Sequence, residues 1–184
     1  MKKILLTLAA ITALWTSSQA QTSGGPDLFG YVWRDNNDPN GPTYNWIDIT
    51  TNGDASQIVG LDDDNVVGPF SIGFPFRYYW YDITNFWVGS NGYLGFTNNG
   101  LLASGANGFT TIPNTAQPQN YAAAFLADLN FVSYNGANPA QAWRWSSADN
   151  DSLIVSFINV PFWANNNFGT TGVPDITGSN TFQI

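Results

Sequence analysis

From Gly68 to Thr97 the chain reads GPFSIGFPFRYYWYDITNFWVGSNGYLGFT, and this segment limits the fold more than any other. Phe70, Phe74, Phe76, Tyr78, Tyr79, Trp80, Phe86, Trp87, Tyr93 and Phe96 supply apolar surface at short intervals. Aromatic runs bounded by Gly, Pro and Asn have the residue types of strands rather than of helices. Asn91-Gly92 stands between Phe86–Ser90 and Tyr93–Thr97. Asn and Gly both tolerate positive φ, so a tight type I′ hairpin is expected there. The segment offers no catalytic chemistry. It predicts two or three short strands on one face of a β-sandwich.

The compartment follows from the first twenty residues. Lys2-Lys3 precede an apolar run from Ile4 to Trp15, and Ser18-Gln19-Ala20 closes it with small residues. A charged start, an apolar core too short to span a bilayer and a small-residue cleavage site mark a secretory signal peptide. Residues 1–20 are expected to be removed after Ala20, and the remainder to be secreted or held on the outer cell surface. No later stretch is apolar enough to span a membrane. Without the leader, thirteen Asp and no Glu face only Arg34, Arg77 and Arg144, a formal charge of −10. That balance argues against nucleic acid and anionic membranes as partners and permits cations. Cys is absent, so the fold must rest on its core rather than on disulfides. A domain near 150 residues buries roughly 70% of its unfolded surface, which is enough. One domain is expected: a flexible leader over 21–27, then a β-sandwich module over 28–184.

Along the chain, Leu28–Arg34 alternates, with Phe29, Tyr31 and Trp33 on one side, and so reads as a strand. Residues 35–43, dense in Asx, Pro and Gly, read as a loop. Tyr44–Thr50 returns to strand alternation. Residues 98–120 and 164–180 are rich in Asn, Gly and Thr and read as long loops. Tyr121–Phe131 is short and bounded by Asn and Pro, which favours strand over helix. Ala142–Ser146 and Ser152–Asn159 flank Ala148-Asp149-Asn150-Asp151, a second hairpin. Leu153, Val155 and Phe157 face one way, Ile154 and Ile158 the other, as in a strand buried on both sides. Thr181–Ile184 reads as the start of a strand, so the sandwich is expected to continue beyond Ile184.

The chemistry available is narrow. Without His, Cys or Glu there is no Ser-His-Asp triad, no Cys-His pair and no His-rich zinc site. Asp pairs alone remain, mostly in turn-like contexts. Asp128, between Leu126 and Leu129, is the exception and is expected to accept backbone N–H bonds at a strand end. No catalytic residue is assigned. Asn36, Asp38 and Asn40 alternate and Gly41 follows, the opening pattern of a calcium loop, with Asp48 near the closing position. Calcium is thus the one candidate cofactor, with Asn36, Asp38, Asn40 and Asp48 as ligands. A run of Asx turns explains the same letters. Asp62-Asp63-Asp64 either adds ligands or is a solvated turn. Trp143-Arg144-Trp145 places two indoles on one strand face, and Trp163 precedes Asn165–Asn167. These three Trp are the candidate stacking platform for sugar rings, unless they are core.

The order of motifs carries a resemblance. Gly25-Pro26-Asp27, Tyr31-Val32-Trp33-Arg34-Asp35, Asp38-Pro39-Asn40-Gly41-Pro42 and Asn45-Trp46-Ile47-Asp48-Ile49 resemble the N-terminal region of large secreted proteins of Bacteroidota. Such proteins often carry a C-terminal type IX secretion sorting domain. Gly68-Pro69-Phe70, Gly73-Phe74-Pro75-Phe76 and Val88-Gly89-Ser90-Asn91-Gly92-Tyr93-Leu94-Gly95-Phe96 resemble the core of nidogen-like extracellular β domains. Ala124–Leu129 and Leu153–Phe162 are similar to the strands that follow it there, with Leu126-Ala127 where that family has a Trp before its Asp. The resemblance implies an all-β, antiparallel sandwich with long Asn/Gly-rich loops.

The expected function is that of a non-catalytic module of a larger protein, engaged in adhesion or contact with an extracellular glycan or surface protein. One alternative is the accessory domain of a secreted hydrolase or protease whose catalytic part lies downstream. Another is a structural spacer.

Overall fold

The computed structural model describes residues 20–97, 115, 119–133, 139–149, 151–164, 173–174 and 178–184. The leader read at 1–20 and most of the loops read at 98–120 and 164–180 lie outside these residues. The chain divides into two units, Met1–Trp46 and Ile47–Ile184. In the first, β1 (Ser23–Gly24) pairs antiparallel with β2 (Trp33–Arg34), so part of the expected leader is ordered in a ladder. The strand expected over Leu28–Arg34 is cut to its last two residues. The cause is Asp27, whose Oδ1 accepts the N–H groups of Phe29, Gly30 and Tyr31 at 2.9, 2.8 and 2.9 Å and curls the chain.

The second unit holds β3 (Ser56–Ile58), β4 (Val66–Tyr78), β5 (Tyr81–Gly89), β6 (Tyr93–Gly95), β7 (Tyr121–Ala123), β8 (Gln141–Ser146), β9 (Leu153–Val160), β10 (Trp163–Ala164), β11 (Val173–Pro174) and β12 (Asn180–Gln183). Two four-stranded antiparallel sheets form, in the orders β4-β5-β6-β7 and β12-β9-β8-β3. β10 and β11 make a separate two-stranded ladder. Between the large sheets, Ile58, Ile72, Ile83, Phe86, Val88, Leu94, Phe96, Leu129, Ala142, Val155, Phe157 and Val160 form one buried cluster. The all-β sandwich expected from the aromatic segment is therefore the architecture, and both sheets contribute to its core. Phe74 and Phe76 are half-buried and pack against this cluster.

The aromatic segment forms one long strand and a hairpin rather than several short strands. Two irregularities make this possible. Gly68 and Pro69 together oppose Trp87, because Pro69 has no N–H for the ladder. Further on, Ile72–Pro75 oppose only Thr84, between the pairs Ser71↔Asn85 and Phe76↔Ile83. Across it β4 keeps its alternation from Phe70 to Tyr78, while β5 breaks its own at Thr84-Asn85, so Ile83 and Phe86 both face the core although three residues apart. β9 carries a similar device. Asn159 sits at φ 53°, and Ile158 and Asn159 of β9 oppose only Thr181 of β12, which returns Val160 to the core after Phe157. Val155, Ser156 and Phe157 are all buried, as expected of a strand covered on both faces.

Three expectations are corrected. The Asn91-Gly92 hairpin forms, but not as a type I′ turn. Gly89 pairs with Tyr93, which leaves Ser90, Asn91 and Gly92 as a three-residue connection. Gly92 alone is left-handed, at φ 83°, and donates to the Gly89 carbonyl at 3.2 Å. A Cβ on Gly92 would strike the Phe125 carbonyl. Asn91 is released to serve as a buried tie. Second, Tyr44–Thr50 forms no ladder. The Gln183 carboxamide takes the backbone of Ile47 instead, donating to its carbonyl at 2.6 Å, and Asp48 turns the chain by accepting from Thr50. Ile49 is nonetheless buried, outside the main cluster. Third, Tyr121–Phe131 is strand only over Tyr121–Ala123, with Leu129 bridging to Phe162.

Candidate functional site

The Asx loop of the first unit is built from its own side chains. Asp35 Oδ1 accepts from the N–H of Asn37 at 2.8 Å and of Asp38 at 3.2 Å, and Asp38 Oδ1 accepts from Asn40 N–H at 2.8 Å. Gly41 N–H returns to the Asp38 carbonyl at 2.8 Å. Gly41 is required because a Cβ there would overlap the Asp35 carbonyl. These bonds hold the Asp38 carboxyl below the usual carboxylate range, chiefly through Asn40 N–H, with Ser23 and Arg34 adding to it. Asp48, the proposed closing ligand, belongs to the second unit. Its Oδ1 accepts from Thr50 Oγ1 at 2.7 Å and Thr50 N at 3.0 Å, which lowers its pKa as well. Among the described residues, no group of three or more Asp gathers as a metal site. Calcium held by Asn36, Asp38, Asn40 and Asp48 therefore stands as a proposal, to be tested by titration.

The acidic run Asp62-Asp63-Asp64 is tied to the Ser90–Gly92 connection. Asn91 Nδ2 donates to Asp64 Oδ1 at 2.7 Å, while Asn91 Oδ1 accepts from Leu129 N–H at 2.9 Å. Ser90 closes the other side, with its N–H on the Asn65 carbonyl at 3.0 Å and its Oγ accepting from Asn65 N–H at 3.1 Å. Ser90 and Asn91 are fully buried. Asp63 carries the cost of this crowding. Its Oδ1 is buried without a hydrogen-bond partner. Burial first, then repulsion from Asp64, Asp128 and Asp62, pushes its pKa up to about 6.

The three Trp of the expected platform are not brought to one surface element. On β8, Ala142 pairs with Phe157 and with Ile58 in the core, so Trp143 and Trp145 face away from the opposing sheet. Both are half-buried, and Trp143 Nε1 donates to Gln141 Oε1 at 2.9 Å. Arg144, between them, points inward and lies over the Phe70 ring at 5.0 Å. Trp163 lies on β10, in the separate ladder, and its N–H donates to the Asp128 carbonyl at 2.8 Å. Asn165–Asn167 lie outside the described residues.

One aromatic surface was not anticipated. Tyr78 pairs with Tyr81, so Tyr79 and Trp80 form the two-residue tip between β4 and β5. Trp80 is 65% exposed and Tyr81 55%. The signal was present in the letters, since four consecutive aromatics cannot all face one core on a strand of period two. Just below the tip, Arg77 and Asp82 make an exposed ion pair at 3.1 Å.

Among the described residues no helix is long and apolar enough to cross a membrane. No curated protein and no solved structure matches the chain. A family model described as "NIDO related" matches residues 38–173 of the 184, a span that includes both large sheets up to β9, the Ser90–Gly92 tie and the β4–β5 tip. The nidogen-like pattern of Gly68–Phe96 thus has its counterpart in a whole-domain match: the chain belongs to the NIDO-related family.

Proposed function

We propose that this chain is a non-catalytic, secreted or cell-surface module that contacts extracellular glycans through aromatic side chains. The observation that carries the reading is the placement of Trp143 and Trp145, two residues apart on the outer face of β8. A sheet face that needed only to be wetted would carry polar residues there. Membership of a family typical of extracellular modules supports the location. Export through the leader, a Bacteroidota source and the type IX route belong to the same proposal and rest on the sequence. The absence of His, Cys and Glu supports a role without acid–base catalysis.

A glycan array probed with the protein and with the double variant Trp143→Ala/Trp145→Ala tests it. Binding by the parent and loss in the variant is the expected result. Unchanged binding would remove this platform, and silence from both forms would turn the reading toward a structural spacer.

A further inference from the structure

We propose that the tip of the β4–β5 hairpin, with the concavity beside it, is a second binding site whose ligand is a neutral carbohydrate. The inference rests on the reading of the chain as a glycan-contact module and goes beyond it in naming a site. Its starting point is a broken local rule. A two-residue hairpin connection needs positive φ at its first residue, and glycine is the residue that adopts it without steric cost. Here that residue is Tyr79, at φ 52°. A bulky side chain in the left-handed region is a true outlier, and such outliers gather where display outweighs ease of folding.

What is displayed is ordered. The rings of Tyr78 and Tyr79 meet edge-on, with centroids 4.8 Å apart, and those of Tyr79 and Trp80 lie 5.8 Å apart. Trp80 is 65% exposed even so. Rigid aromatic rings offer large contact area at low entropic cost on binding.

Next to the tip is a concavity of about 400 Å³ lined by Tyr78, Tyr79, Gln119, Asn120 and Tyr121 with Ala123. Its walls are pinned. Tyr78 Oη donates to the Tyr121 carbonyl at 3.0 Å, which ties β4 to β7 across the sheet. Asn120 is the second left-handed residue here, at φ 59°, and its carbonyl accepts from Phe96 N–H at 2.8 Å.

The lining selects the ligand class. Among the described residues it contains aromatic rings, phenols and planar amides, and no charged side chain. A pyranose has one apolar C–H face that stacks on an aromatic ring. Its neighbouring hydroxyls pair with the donor and acceptor of one carboxamide, which Gln119 and Asn120 both provide. Nucleic acid would require cations, and the one nearby, Arg77, is already paired with Asp82. A protein partner is the competing occupant.

The test uses the full protein and soluble neutral oligosaccharides of glucose, mannose, galactose and N-acetylglucosamine as probes. Calorimetry and intrinsic Trp fluorescence are read on the parent, Tyr79→Gly, Trp80→Ala and the Trp143→Ala/Trp145→Ala pair. The expected result is a loss of affinity of at least about tenfold in Tyr79→Gly and in Trp80→Ala. Trp80→Ala, at an exposed position, should melt close to the parent temperature, which separates lost binding from lost folding. If only the Trp143→Ala/Trp145→Ala pair loses binding, the hairpin site is overturned and the glycan reading stands. If the parent binds none of the probes, the glycan reading itself falls. Trp80→Ala losing a captured protein partner while no sugar binds would likewise overturn the carbohydrate assignment.

Discussion

Strand β5 ends in two tight connections that solve the same problem in opposite ways. At its end, Ser90-Asn91-Gly92 puts glycine where φ must be positive and buries the polar side chains in hydrogen bonds to Asp64, Asn65 and Leu129. At its start, Tyr79-Trp80 puts tyrosine at the positive φ, leaves Tyr79 half-buried and exposes Trp80. The first turn is built to hold the fold, since the side chains of Ser90 and Asn91 both find partners inside. The second tolerates backbone strain and shows aromatic surface to solvent. The difference teaches that the aromatic segment is not uniformly core. One end of the same hairpin framework is buried and hydrogen-bonded, and the other exposes Trp80 and Tyr81.

The largest expected effect comes from removing what both ends rest on. Phe96 touches Tyr78 and Phe76, with ring centroids 4.6 and 5.5 Å away, and lies in the shared core. Phe96→Ala should cost roughly 3–5 kcal/mol in urea unfolding. A loss below about 1 kcal/mol would mean that the two ends do not share that support. Next comes Asn91→Ala, which strands the Leu129 N–H inside the protein. A loss of about 1–3 kcal/mol is expected by the same measurement. If Asn91→Ala were as neutral as a surface change, the contrast between a structural and a display turn would collapse.

A third connection sharpens the comparison. The Asp35–Gly41 loop closes its turns with carboxylates that accept backbone N–H groups, and it also contains the proposed calcium ligands Asn36, Asp38 and Asn40. If calcium binds the native state, the melting temperature rises with calcium by mass action and Asp38→Ala removes the rise. Identical melting in calcium and in chelator would class the loop with Ser90–Gly92 as purely structural.

The smallest effect is in pH. Asp63, beside the structural turn, has a folded pKa raised to about 6 from an ordinary 3.8. The folded state therefore holds this proton more tightly than the unfolded chain. From this group, stability is greatest at low pH and falls as pH rises from the ordinary value through about 6. Asp63→Asn should flatten that slope in melting temperature and leave the variant the more stable at neutral pH. Asp38, Asp48 and Asp151 act in the other direction. Their lowered values contribute stability above the ordinary carboxylate range that is lost as pH falls through their folded values. A parent and variant with parallel profiles between pH 4 and 6 would show that Asp63 is not crowded as the geometry implies.

The hairpins at Ser90–Gly92 and at residues 147–152 were legible because Gly, Asn and Asp punctuate strands locally. So was the two-sided burial of Leu153–Val160. The candidate surfaces were legible only in part. Trp143 and Trp145 share a face, as their spacing requires, but Trp163 is on another ladder. Tyr79 and Trp80 were legible only as apolar surface of a sandwich face, because their place at the tip depends on the pairing of Tyr78 with Tyr81.

The sequence by itself determined that the chain would be all-β, where the Asn91-Gly92 hairpin and the Asp35–Gly41 loop fall and that acid–base chemistry would be limited to Asp. Those properties depend on residue type and on contacts a few positions apart. The tertiary structure alone decided which side chains face the core. β5 breaks its alternation at Thr84-Asn85, opposite the insertion at Ile72–Pro75, and β9 breaks its own at Asn159, so Ile83 and Phe86, or Phe157 and Val160, end on one face despite an odd separation. Tertiary structure also decided that Tyr44–Thr50 forms no strand, because the side chain that takes Ile47's backbone is Gln183, far along the chain. A side chain's face is set by the register of its partner strand, and register is a property of two segments that no single segment encodes.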